Sequence, residues 1–204
     1  MRSVIVTGGT VRLGKAIAEH LRGHGWRVLT TSHRADAGAN IVADLSEPMG
    51  AARLYAAALG LLGGRPPDAL VNNAALFTGE ASAIRAVNLE SPRKLTMLMA
   101  GRETGRGAVV NVLDAREREG AYGETKRELG EYTLKSAAMF ADTLRVNAVA
   151  PGPVLAPKDV HEKAGETPLG RPTPEAVAHA VEFLLEAEAT AGCTIPVDGG
   201  QGLL

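Results

Sequence analysis

The stretch from residue 2 to residue 32, RSVIVTGGTVRLGKAIAEHLRGHGWRVLTTS, limits the possible folds of this chain more than any other segment. Ser3 to Thr7 is a short β-branched run, Gly8, Gly9 and Gly14 punctuate a turn, and Leu13, Ile17, Ala18 and Leu21 recur at helical spacing. A second strand follows at 27–32. Glycine between strand and helix lets the backbone turn tightly and come close to a pyrophosphate, which then rests on the free N–H groups of the helix N-terminus. The segment therefore reads as a mononucleotide-binding βαβ unit, and its place at the first strand of the chain is where such a fingerprint belongs.

The same alternation continues to the end. The patterns predict strands at 2–7, 27–32, 40–43, 68–73, 107–113, 144–149 and 193–197, and helices at 12–24, 47–62, 81–103, 120–140 and 174–188. That order implies an α/β, Rossmann-type, doubly wound sheet of seven parallel strands with helices on both faces, in a single domain over 1–204. A chain of 204 residues buries about 70% of its unfolded surface. It needs no staple, and the single Cys193 forms no internal disulfide. A net charge of -1 and 3% aromatics argue against a nucleic-acid surface. No stretch approaches the roughly 20 apolar residues of a membrane span or resembles a signal peptide, so a cytoplasmic location is expected. No metal site is expected.

Chemistry enters with AYGETKREL, where Tyr122 and Lys126 stand four residues apart. On a helix they share a face, so a phenol and an ammonium project into one site. The cation favours the phenolate, which would bring a group of pKa ~10 toward acid/base work near neutrality. DALVNNAAL places Asn72 and Asn73 at the carboxyl end of a strand, where open α/β sheets bind ligands. The tail GCTIPVDGGQGL closes a last strand with Asp198, Gly199 and Gly200.

Charge at the end of the second strand bears on the cofactor. Thr31, Ser32, His33 and Arg34 end the strand, and Arg12 projects from the glycine turn. Two arginines and a histidine suit a 2′-phosphate, hence NADP(H), whereas Asp36 is the sole support for NAD(H) through a ribose hydroxyl.

These pieces, in this order, resemble the short-chain dehydrogenase/reductase family. The matching strings are TGGTVRLG, ADL at 43–45, NNAA at 72–75, Asn88 in AVNLESP, VVNVLDA, YGETK, RVNAVAPGPV and VDGGQ. The resemblance implies Tyr122 as proton donor, Lys126 as the residue that binds the nicotinamide ribose and lowers the tyrosine pKa, and Asn88 as the anchor of a water joined to the lysine. It places the cofactor against Gly8, Arg12, Leu13, Gly14, His33, Arg34, Asp44, Asn72, Ala74, Pro151 and Gly152. Asp114 stands where the family normally has serine, and an aspartate donates a hydrogen bond to a carbonyl only when protonated. The pteridine reductase branch carries aspartate there. It also resembles this chain in the VRLG turn, in the HR pair ending the second strand, and in an aromatic after NNA, here Phe77. Arg12, Phe77, Asp114 and Tyr122 would then hold a pterin.

The implied activity is NADPH-dependent reduction of a pterin or dihydrofolate. A carbonyl reductase and a non-catalytic NADP(H)-binding sensor are the alternatives. Tyr122 follows Asp114 by only eight residues, a trimmed loop for the family. Residues 150–173, rich in proline, are expected to form a substrate lid. Leu95, Leu98, Met99, Leu129, Leu134 and Phe140 spread over much of the girth of two helices, which implies burial on more than one face; the resemblance, to a family whose members pair through these helices, implies a homodimer or homotetramer.

Overall fold

In the computed structural model, which describes residues 1–103, 105–116, 118–155 and 167–204, seven strands form one parallel sheet. They are β1 (Ser3–Val6), β2 (Arg27–Ser32), β3 (Ile41–Val42), β4 (Ala69–Asn72), β5 (Gly107–Val112), β6 (Leu144–Pro151) and β7 (Thr194–Val197), in the order β3-β2-β1-β4-β5-β6-β7. Every residue of β1, β4, β5 and β6 is buried, as a parallel sheet covered on both faces requires.

Alternate residues serve opposite faces. Val4 and Val6 meet Ile17, Ala18 and Leu21 of α1 (Arg12–Gly23) and Val177, Val181 and Leu184 of α6 (Pro174–Glu186). Ile5, Leu70 and Val109 meet Leu54 and Ala58 of α2 (Gly50–Leu61), Leu95 and Met99 of α4 (Ser91–Ala100) and Ala137 of α5 (Gly120–Met139). Each of these large aliphatic side chains is worth about 1.5–3 kcal/mol on burial, so the two layers supply the main driving force.

The helix expected over 81–103 is broken and shorter. α3 (Ala81–Arg85) runs into a π turn (Ala86–Glu90) before α4 begins. Pro92 gives the reason: it has no N–H for the carbonyl of Asn88 and its ring crowds that carbonyl, so the ladder widens just upstream. Asn88 sits in the widened turn.

β1 lies between β2 and β4, and the chain leaves it in one direction and returns from the other side. The crevice at the carboxyl ends of β1 and β4 is therefore the topological switch point where such sheets bind ligands. Among the described residues, no helix is long and apolar enough to cross a membrane. Residues 156–166, within the segment 150–173 expected as a lid, lie outside the described residues. Of the apolar residues behind the oligomer expectation, Leu95, Met99 and Leu129 are buried, whereas Leu134 is exposed.

Candidate active site

The crevice is a cleft of about 750 Å³. Its floor is the turn after β1, where Gly8 (φ 62) and Arg12 (φ 51) have left-handed backbone, Arg12 being the one non-glycine residue with positive φ among the described residues. The place where the family has glycine is thus a place that wants glycine, and an arginine is held there against the steric preference. A Cβ on Gly14 would collide with the Gly8 carbonyl oxygen and the Asn73 amide. Asn73 Nδ2 donates to the carbonyls of Thr7 (2.9 Å) and Gly8 (3.4 Å), while Thr7 Oγ1 accepts from the N–H groups of Asn73 and Ala74 at 2.9 and 3.0 Å. These bonds pin the turn to the end of β4.

α1 starts at this turn without a capping side chain and without an acid in its first turn, so its first N–H groups suit an anion. Gly8, Leu13, Gly14, Ala74, His33 and Arg34 line the cleft with Arg12. Arg34 donates to both oxygens of Asp36, at 3.0 and 2.8 Å, which raises the guanidinium pKa and lowers that of the carboxyl. Both side chains stand in solvent, so the pair holds Arg34 only loosely. Asp44 accepts from the hydroxyl and N–H of Ser46 at 2.6 and 2.8 Å, and these bonds, with the nearby His33, hold its carboxyl below the usual range. A cleft with an open helix N-terminus, Arg12 in its glycine turn and His33 and Arg34 after β2 fits a dinucleotide carrying an additional phosphate.

Asn72 does not line this cleft. Its Nδ2 donates to Asn111 Oδ1 at 2.8 Å, and Asn111 Nδ2 donates to Thr133 Oγ1 at 2.9 Å, so Asn72 belongs to a buried polar chain between the sheet and α5. Asn73, next along the strand, takes the place at the turn. Pro151 and Gly152 also depart from expectation, lining a second cavity of about 430 Å³ with Arg12, Phe77, Asp114 and Tyr122.

α5 carries Tyr122 and Lys126 on one face. Lys126 is buried, its Nζ donates to the Val112 carbonyl at 2.7 Å, and it lies 5.7 Å from the centre of the Tyr122 ring. Burial lowers the lysine pKa to about 8, against the opposing pull of the Asp114 charge. The expectation that Lys126 draws Tyr122 toward phenolate is overturned. Burial, the Asp114 charge and a hydrogen bond from the phenol to Asp114 Oδ2 (3.2 Å) raise the tyrosine pKa, outweighing the downward pull of Arg118 and Arg116. Tyr122 is a neutral donor.

Asp114 is the hub. Its Oδ1 accepts from the Arg116 N–H (3.0 Å), and its Oδ2 accepts from Arg118 Nε (2.7 Å) as well as from Tyr122. In each of these bonds the carboxylate is the acceptor. The Arg118 guanidinium lies 4.8 Å from the centre of the Phe77 ring, which meets the Tyr122 ring edge-on at 4.7 Å. Gly123 makes the short loop possible: a Cβ there would strike the Arg118 carbonyl, and Arg127 Nη1 donates to that same carbonyl at 2.8 Å. Sequence reasoning missed Arg116 and Arg118, although DARER directly after a buried strand is a signal, because loop charges normally face solvent.

Asn88 works on the loop after β4. Its Oδ1 accepts from the Leu76 N–H at 2.8 Å and its Nδ2 donates to the Leu76 carbonyl at 2.9 Å, which fixes the residue preceding Phe77.

A parallel sheet with a glycine turn at its switch point, and a tyrosine and lysine on the helix after β5, define a Rossmann-type oxidoreductase. The chain belongs to the short-chain dehydrogenase/reductase family: the family model described as Enoyl-(Acyl carrier protein) reductase matches residues 65–201. The crystal structure of FolM alternative dihydrofolate reductase 1 from Brucella canis, complexed with NADP, superposes with a TM-score of 0.81 at 30% identity, covering 100% of this chain and 95% of that one. An oxidoreductase of Mycobacterium tuberculosis is 29% identical over 237 aligned positions, covering 96% of this chain and 90% of the relative. The rhamnolipids biosynthesis 3-oxoacyl-[acyl-carrier-protein] reductase of Pseudomonas aeruginosa is 29% identical over 247 positions, covering 98% and 95%. Both alignments are longer than the 204 residues present here, so the relatives carry segments that this chain lacks.

Proposed function

We propose that the protein is an NADPH-dependent reductase of a pterin or dihydrofolate, working as a cytoplasmic homodimer or homotetramer. The observation that carries the reading is the group formed by Asp114, Tyr122, Phe77 and Arg118. A carboxylate that accepts from Tyr122 and two arginines is a poor donor to a substrate carbonyl, but it can hold an N–H of a ring such as a pterin. Phe77 supplies a flat apolar wall against which a ring can stack. The likeness to a dihydrofolate reductase complexed with NADP supports the same reading.

When bound, the nicotinamide supplies the hydride. Tyr122, kept protonated by its surroundings, delivers the proton to a carbonyl or imine, or Asp114 relays a proton from solvent to a ring nitrogen by way of water. Lys126 binds the ribose and holds a positive charge behind Tyr122. Arg12, Arg116 and Arg118 outnumber Asp114 among the described charges lining the smaller cavity, which favours a substrate with an anionic end such as the glutamate of dihydrofolate.

The second reading, reduction of a carbonyl, is favoured by the likeness to a 3-oxoacyl reductase over nearly the whole chain. NADPH oxidation measured with dihydrobiopterin, dihydrofolate and a panel of aldehydes, ketones and quinones, with NADH in parallel, separates the two. Turnover confined to pterins supports the first reading; turnover of carbonyls alone replaces it with the second. Asp114→Ser sharpens the result: dihydropterin reduction should fall steeply, and full activity with serine would remove the reason to prefer pterins. Light scattering on a sizing column tests the oligomer, and a monomer at assay concentration would refute it.

A further inference from the structure

On the face of the sheet covered by α1 and α6, His20, His24 and Glu182 converge far from the cleft. His20 lies in the last turn of α1 and His24 is its C-cap; Glu182 lies on α6, 162 residues from His20. His20 Nε2 is 2.7 Å and His24 Nδ1 2.8 Å from the same oxygen, Glu182 Oε2, and the three atoms lie within 4.8 Å of one another. His179 stacks against His20 with ring centres 4.6 Å apart. Two imidazoles aimed at a single oxygen, His20 through Nε2 and His24 through Nδ1, form a convergent donor set. The side chains of His20 and Glu182 are 12% and 18% exposed and that of His24 is 50% exposed, so the cluster is walled on one side and open to solvent on the other.

We propose that His20, His24 and Glu182 bind a divalent transition-metal cation of the zinc class, with water completing the coordination. Two imidazoles and one carboxylate form a borderline donor set suited to such ions, whereas calcium and magnesium prefer all-oxygen shells. Ligands about 2.0–2.2 Å from a tetrahedral zinc stand roughly 3.3 Å apart, so the carboxylate needs to step back by about half an ångström from each nitrogen, and the two nitrogens, now within 4.8 Å of one another, need to settle at that same separation. Side-chain rotation of Glu182 and the half-exposed His24 supplies that movement. The position at the C-terminus of α1, the negative end of the helix dipole, also favours a cation. The bound ion would tie α1, whose other end builds the cleft, to α6.

The test is titration of the untagged, chelator-stripped protein with zinc and with Co(II). The expected result is one equivalent bound, visible absorption of four-coordinate Co(II), and a melting temperature raised by zinc. His24→Gln and Glu182→Gln should weaken binding by more than the roughly 10–100-fold typical of losing a mere outer-sphere partner, while His179→Ala changes it little. His24→Gln, at a solvent-facing helix end, keeps the variant folded and the comparison valid. No stoichiometric binding, or binding unchanged in both Gln variants, would overturn the proposal.

Discussion

The dinucleotide cleft and the smaller cavity beside it share Arg12, Leu13, Ala75, Leu76 and Tyr122 but are built on different principles. The cleft is made largely of backbone: a left-handed glycine, the open N–H groups of α1, and a turn pinned by Thr7 and Asn73. The cavity is made of side chains that converge on one carboxylate: Arg118 and Tyr122 hydrogen-bond to Asp114, and the Arg116 guanidinium stands 3.5 Å from it. A backbone site tolerates change around it because its donors are fixed by φ and ψ. A side-chain site depends on every partner, since removing one leaves another buried charge uncompensated.

The largest effect is expected from Tyr122→Phe. Turnover should fall by roughly 10²–10⁴-fold, the usual worth of a positioned acid, while cofactor affinity, read by fluorescence titration, stays close to that of the unaltered protein. A parallel loss of cofactor binding would break the separation of the two regions.

Lys126→Met should abolish most turnover yet stabilise the fold. The folded-state pKa of about 8 lies below the ordinary 10.5, so the unfolded chain binds the proton more tightly and burial of the charged form is unfavourable at neutral pH. The gain is on the order of 3 kcal/mol at pH 7, and it should shrink toward zero as pH rises from about 8 to 10.5. For the unaltered enzyme, kcat/KM for reduction should decline above pH about 8 as Lys126 loses its proton. Denaturant titrations at several pH values and a pH–rate profile check both statements; a stability gain constant across pH would show that Lys126 is not buried as a cation.

Arg34→Asp tests the cleft alone. A charge-assisted bond of about 1.5–3 kcal/mol corresponds to a rise in the KM for NADPH of roughly 10–100-fold, with NADH little affected. Unchanged selectivity would remove Arg34 from the phosphate site. Arg12→Gly, at the boundary of the two regions, should raise stability by about 1 kcal/mol because glycine adopts φ 51 without strain, while weakening both cofactor and substrate. A loss of stability there would mean that contacts of the Arg12 side chain outweigh the backbone strain.

Much of the fold was legible because its signals are local. The βαβ unit, the seven strands and the Tyr122–Lys126 pair follow from periodicity and spacing within one element, and the parallel, doubly wound arrangement is the one that alternating α and β patterns imply. The break in the helix at 86–90 was legible in principle from Pro92. Asn72 and Asn73 were not separable, since neighbouring residues at a strand end point to opposite sides and the sequence does not say which side holds the cleft. Arg116 and Arg118 read as loop charges until Gly123 and Arg127 were seen to fold the short loop against α5.

Sequence alone determined the doubly wound sheet, the place of its crevice, and the residues that share a helix face, because backbone preference and hydrophobic period act over a few residues. Tertiary structure decided the electrostatics. Lys126, four residues away, suggested an acidic tyrosine, but Asp114 and burial make Tyr122 a reluctant acid. His20 and Glu182 became neighbours only when α1 and α6 packed on one face. Charge and desolvation act through space, and which groups share a low-dielectric pocket is set by packing between segments distant in the chain.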